Sequence, residues 1–104
     1  MKPEVRFFQS DTRSTPKRMD RMELHARLSD RPVTIVTDLG GTHNWKEQLK
    51  GSDIRVVTPY RIKGEQLDGL VLVDMLDAPA LLEMHKLVIK QGAEFNVVDM
   101  REGR

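Results

Sequence analysis

Three short apolar runs along the chain each end at an aspartate. The runs VTIVTD, LVLVD and FNVVD end at Asp38, Asp74 and Asp99. Near-continuous apolarity over four or five residues, most of them β-branched or leucine, is typical of strands that are covered on both faces of a parallel sheet. Two further runs, EVRFF and DIRVVT, predict a short edge strand over residues 4–8 and another strand over residues 53–58.

Helix signals alternate with these strands. Capping residues and glycine stops predict three helices between them. The predicted helices span residues 16–29, 44–50 and 78–91, with N-caps at Thr15, Asn44 and Asp77 and glycine stops at Gly51 and Gly92. The segment 59–69 is predicted to be a connection with one helical turn.

This alternation of strands and helices predicts an α/β domain. We expect a small three-layer domain, Rossmann-like or P-loop-like, with a mostly parallel sheet of four to five strands. The 104 residues have the length of one domain. The predicted parts of this domain are an edge strand and loop (1–15), a basic helix (16–29), an α/β core (33–99) and a tail (100–104).

Composition narrows the class of protein. Hydrophobic residues make up 38% and charged residues 32%, which is typical of a globular chain. No apolar run approaches the length of about 20 residues that a membrane helix needs, and the first residues lack the apolar stretch of a signal peptide. Cysteine is absent, so neither disulfides nor thiolate chemistry are expected. These features predict a cytoplasmic protein.

The aspartates at the strand ends are the first candidates for chemistry. If the strands are parallel, Asp38, Asp74 and Asp99 meet at one edge of the sheet, where ligands bind in such folds. Carboxylate oxygens are ligands that Mg²⁺ prefers, and His43, close after Asp38, would act as acid or base in a phosphoesterase site. The alternative is structural, since aspartate after a strand often caps a helix or forms a turn.

Two adjacent glycines follow the strand that ends at Asp38. Gly40, Gly41 and Thr42 would present backbone N–H groups to a phosphate at a helix N-terminus. The chain contains neither G-x-x-x-x-G-K-[ST] nor G-x-G-x-x-G, the two common nucleotide fingerprints. A turn that needs positive φ explains the two glycines without a ligand.

The helix over residues 78–91 has an apolar stripe with a histidine in it. Leu81, Leu82, Val88 and Ile89 form the predicted stripe, and His85 lies at its centre. We therefore expect His85 to be a core residue that is hydrogen-bonded to its neighbours.

The segment RIKGEQLDGLVLVDMLDAP (61–79), extended back to residue 55, resembles the Walker B region of P-loop motor ATPases such as phage terminase large subunits. The resemblance implies that Asp74 is the magnesium acid. The segment is also similar to helicases, in which Thr58, Lys63 and Gly64 would link ATP to nucleic acid. A Walker A loop is absent, and Met75 replaces the glutamate that would activate water. The resemblance therefore implies a shared core without the motor chemistry.

Taken together, these features favour a non-catalytic binding or regulatory module that acts through protein or nucleic-acid contacts, without a cofactor. The net charge of +1 excludes a strongly basic nucleic-acid binder. Basic candidates for the contact are Arg13, Arg18, Arg21 and Lys63. The alternatives are a Mg²⁺-dependent phosphoesterase or nuclease and a nucleotide-binding sensor. Homo-oligomerisation is one way in which the open edges of the sheet would be protected.

Overall fold

Strands and helices alternate along the chain as the sequence predicts. A computed structural model describes residues 2–9 and 16–99, and these residues form five strands and four helices. In chain order the elements are β1 (Glu4–Gln9), α1 (Pro16–Leu28), β2 (Val33–Val36), α2 (Leu39–Gln48), β3 (Arg55–Val57), α3 (Pro59–Ile62), β4 (Leu70–Val73), α4 (Ala78–Gln91) and β5 (Glu94–Asp99). The predicted N-cap Thr15, the candidate contact residue Arg13 and the tail 100–104 lie outside the described residues.

All five strands are parallel and form one sheet in the order β3-β2-β4-β1-β5. The predicted α/β class is confirmed, and the architecture is consistent with a Rossmann-like fold. The predicted position of β1 at an edge is wrong, because β1 lies between β4 and β5. Glu4 and Arg6 are the charged residues of β1, and Arg6 Nε lies 2.7 Å from the carboxylate of Glu4. Because they pair with each other, both charges are satisfied in a strand that has neighbours on both sides.

Helices cover both faces of this sheet. Met22 of α1 and Trp45 of α2 pack on one face, in a core that includes Ile35. Ile62 of α3 and Met84 of α4 pack on the opposite face, in a second core. The three predicted layers are therefore present.

The position of each strand in the sheet explains its burial. All four residues of β4 are buried, because this strand is central and is covered on both faces. In contrast, β5 is an edge strand whose residues are mostly exposed. Two runs that look alike in the sequence thus have different environments.

The helix caps agree with the sequence at α4 and differ at α2. Asp77 accepts a hydrogen bond from the Ala80 N–H at 3.1 Å, and Gly92 ends α4 in the left-handed conformation with φ 61°. The predicted start of α2 at Asn44 is wrong, because Asp38 is its N-cap and accepts the Gly41 N–H at 2.7 Å. A cap at Asp38 extends the helix toward its N-terminus by more than one turn.

Candidate functional site

The carboxylate of Asp74 lies buried at the carboxyl end of β4. The Nε atom of Arg18, from α1, lies 2.8 Å from its Oδ1 atom, and the two side chains are 7% and 4% exposed. Trp45 Nε1, from α2, donates to Asp74 Oδ2 at 2.8 Å. The hydroxyl of Thr37 donates to the same oxygen at 3.4 Å. We call Arg18, Thr37, Trp45 and Asp74 the Asp74 cluster.

This cluster joins two helices, α1 and α2, to the ends of two strands, β2 and β4. An isolated buried carboxylate is costly, and pairing with a cation together with hydrogen bonds offsets that cost. Both oxygens of Asp74 have donors, since Oδ1 also accepts the backbone N–H of Met75 at 2.7 Å. The cluster therefore ties α1 and α2 to the end of β4.

The spacing of residues along α1 is a sequence signal for the role of Arg18. Arg18, Met22 and Ala26 are spaced four residues apart and all three are buried, so Arg18 extends the buried stripe of α1. A cation within a buried stripe indicates a buried anion. Trp45 is a second signal, because a buried indole N–H usually has an acceptor.

The glycines after Asp38 lie in the first turn of α2. Gly40 and Gly41 are not among the glycines with positive φ, so the predicted turn is wrong. Gly41 is instead needed for a close approach, because a Cβ atom there would overlap the hydroxyl of Thr37. Thr42 donates its hydroxyl to the carbonyl of Leu39 at 2.6 Å.

The three strand-end aspartates do not form one metal site. Asp38 and Asp74 line the same hollow of about 490 Å³ between α1 and α2, whereas Asp99 ends β5, with β1 lying between β5 and β4. Over residues 2–9 and 16–99, no three His, Cys, Asp or Glu side chains are grouped so that they could hold a metal ion. His43 is exposed on α2 and does not line this hollow.

The three basic contact candidates that the structure describes do not share a surface. Arg18 is buried in the Asp74 cluster, and Arg21 is exposed on α1. Lys63 is exposed directly after α3, which packs on the opposite face of the sheet from α1.

An open cleft lies where β1 and β4 end side by side. The chain leaves β1 toward the β3 edge and leaves β4 toward the β5 edge, so the direction of the connections reverses between these two neighbouring strands. Ligands in open α/β sheets bind at such points. The cleft has a volume of about 570 Å³, which is within the usual range for ligand sites. We call it the switch-point cleft.

Apolar and aromatic side chains form the walls of the switch-point cleft. The ring of Phe7 lies 5.0 Å from that of His85 and 5.8 Å, edge to face, from that of Phe95. Phe95 and Val97 of β5 are each 52% exposed, and Leu81 of α4 is 37% exposed. The cleft is therefore suited to an apolar group.

His85 and the apolar face of α4 differ from the prediction. His85 is exposed, and the side chains that α4 buries are Ala80, Met84, Leu87 and Val88. Apolar residues surround much of this helix, so periodicity alone did not identify the packed face. Because α4 packs through these buried residues, Leu81 and His85 lie at the side of the helix and line the cleft.

At the amino end of the sheet, His25 of α1 contacts β1. Arg6 Nη1 lies 2.9 Å from His25 Nδ1. Since a guanidinium only donates, Nδ1 accepts and the ring is neutral. Partial burial lowers the pKa of His25, the charge of Arg6 lowers it further, and Glu4 acts in the opposite direction. Glu4, Arg6 and His25 line a hollow at this end of the sheet, and Asp30 and Arg31 line it as well.

This lowered pKa predicts a loss of stability in mild acid. The unfolded chain protonates His25 at about pH 6.5, and the folded chain does so at lower pH. The contribution of His25 is thus present above about pH 6.5 and is lost as the pH falls through the folded pKa. Urea unfolding should show a steeper decrease in stability between about pH 7 and pH 5 for the wild type than for His25→Gln. His43→Gln, on an exposed site, should follow the wild type, and equal slopes for all three proteins would contradict the assignment.

Comparisons of this chain with protein families, with curated proteins and with solved structures find no match. Within the part of the chain that the structure describes, no helix has the length and apolarity needed to cross a membrane.

Proposed function

We propose that this protein is a non-catalytic binding module that acts through protein contacts, with the switch-point cleft as its binding surface. The observation that carries the proposal is the half-exposed apolar wall formed by Leu81, Phe95 and Val97. Exposed apolar side chains around a concave surface are typical of interaction sites.

The Asp74 cluster supports a non-catalytic role. The acid that a magnesium-dependent reaction would use is paired with Arg18 and accepts the indole N–H of Trp45. In this proposal the likeness of residues 55–79 to the Walker B region is one of architecture, and the ATPase chemistry is absent.

The character of the cleft favours protein over nucleic acid. Lys and Arg side chains make many of the contacts to phosphates, and among the residues that the structure describes neither type lines the switch-point cleft. Arg18, one of the candidate contacts, is buried. Apolar and aromatic side chains from a protein partner are better matched to these walls.

An NMR titration with indole, the side-chain group of tryptophan, tests this proposal. We expect saturable shifts of the backbone amides of Phe7, Leu81, Phe95 and Val97 in the wild type. Leu81→Lys places a charge on the wall and should weaken binding about tenfold or more, given the ~1.5–3 kcal/mol that burial of a leucine contributes.

Leu82→Lys is the matched control. Leu82 is the next residue of α4, is 56% exposed and does not line the cleft, so this variant should bind indole like the wild type. The proposal fails if indole causes no saturable shift or if both lysine variants bind it equally well. A rise in melting temperature with Mg²⁺ or ATP would favour the phosphoesterase or nucleotide-sensor alternatives instead.

A further inference from the structure

Among the residues that the structure describes, no strand pairs with the outer side of β5. Strand β5 ends the sheet, and the N–H of Glu94 donates to the carbonyl of Pro3 at 3.0 Å, toward β1. Alternate residues of a parallel strand direct their N–H and C=O groups to opposite sides. The backbone N–H and C=O groups of Phe95 and Val97 therefore point away from β1, along the open edge.

The same two residues have exposed apolar side chains. Phe95 and Val97 pair in register with Val5 and Phe7, so their side chains lie on the face that α4 covers in part, and each is 52% exposed. A six-residue edge strand with apolar side chains is a site for pairing with another strand unless charge, proline or a covering element blocks it.

We propose that the edge of β5 pairs antiparallel with β5 of a second copy of this chain, about a two-fold axis at Asn96. The pairing joins two five-stranded sheets into one and places the partner subunit's Val97 beside Phe95 at the switch-point cleft. This inference rests on the proposed function, since it names the protein partner.

The side chains of β5 are self-complementary in this register. Phe95 lies opposite the partner subunit's Val97, an aromatic and β-branched pair that stabilises antiparallel strands. Glu94 lies opposite the partner subunit's Val98, so like charges do not face each other. A register centred on Val97 instead would place Phe95 opposite an aspartate, the partner subunit's Asp99.

Light scattering coupled to size-exclusion chromatography tests the pairing. We expect twice the chain mass for the wild type and the mass of a single chain for Val97→Pro. Proline there removes an outward N–H and leaves the hydrogen bonds between β5 and β1 intact, as is typical of proline on an edge strand. Circular dichroism verifies that the variant is folded.

Asn96 provides a test of the register and a second variant if Val97→Pro fails to fold. Asn96 is exposed and faces its own copy across the proposed axis. Asn96→Lys and Asn96→Asp should each be monomeric alone, because like charges meet there, and should form a heterodimer when mixed. Dimers of either variant alone, or a mixture that stays monomeric, would overturn the register.

The outcomes separate this inference from the proposed function. A wild type that is monomeric at all concentrations overturns the dimer, as does a dimer that persists in Val97→Pro. Indole titration of the same monomeric samples then tests the cleft independently. Saturable shifts at Leu81 and Phe95 would support the proposed function without the dimer. Their absence would contradict both the proposed function and the dimer.

Discussion

Replacing Asp74 by asparagine is expected to lower the free energy of unfolding by about 3–5 kcal/mol, the usual effect of removing one partner from a buried ion pair. The substitution leaves the Arg18 cation, 7% exposed, without its 2.8 Å partner. Asparagine is nearly isosteric, but if its oxygen accepts the indole N–H of Trp45, its NH2 group replaces Oδ1, which accepts the Met75 N–H. The effect therefore combines the lost charge with a lost acceptor. Urea unfolding followed by the fluorescence of Trp45, the single tryptophan, measures it.

Asp77→Asn is the matched control for this experiment. Asp77 caps α4, and asparagine is about as good an N-cap as aspartate, so the variant should unfold like the wild type. The double variant Arg18→Met with Asp74→Asn removes both charges and should be more stable than the sum of the single effects implies. A variant Asp74→Asn with wild-type stability and a lost response to Mg²⁺ would contradict the structural role and favour the metal hypothesis.

Replacing Gly69 by alanine is expected to destabilise the protein by more than about 2 kcal/mol. Gly69 has φ 64°, a conformation that costs an L-residue roughly 1–2 kcal/mol. A Cβ atom there would also overlap the backbone carbonyl of Pro32, the same carbonyl that accepts the N–H of Leu70 at 2.9 Å. The first hydrogen bond of β4 would have to shift, and urea unfolding measures the combined effect.

Variants at two other glycines separate the cost of the positive φ at Gly69 from the cost of its contact with Pro32. A Cβ atom at Gly64 meets nothing within 4 Å and φ is not positive there, so Gly64→Ala should stay within about 0.5 kcal/mol of the wild type. Gly92 has φ 61° and open space, so Gly92→Ala should lose about 1–2 kcal/mol from conformation alone. Equal losses at Gly69 and Gly92 would show that the contact with Pro32 is relieved without cost.

Local patterns predicted most of the elements correctly. The strands at LVLV and FNVVD, the Asp77 cap and the helix stop at Gly92 all depend on residues close together in the chain. The predicted start of α2 is wrong because the chain offers two N-cap candidates, Asp38 and Asn44, within a few residues. The carboxylate of Asp38 accepts the Gly41 N–H, which extends the helix through glycines that disfavour it.

The candidate site was predicted less well than the fold. Asp74 is at the expected end of its strand, yet its partner Arg18 is 56 residues away in the chain. The switch-point cleft was not predicted at all. Its walls come from β1, α4 and β5, and β1 had been expected at an edge.

What can be read from the chain alone is the alternation of buried strands with capped helices, because hydrophobic periodicity and capping act within a few residues. The order β3-β2-β4-β1-β5 comes from long-range packing, and no local pattern encodes it. That order brings Arg18 and Trp45 onto Asp74, separates Asp99 from it, and leaves β5 with an open edge. Two similar apolar runs that end in aspartate therefore have different environments: LVLVD ends in the buried ion pair of Asp74 with Arg18, and FNVVD forms the exposed edge strand β5.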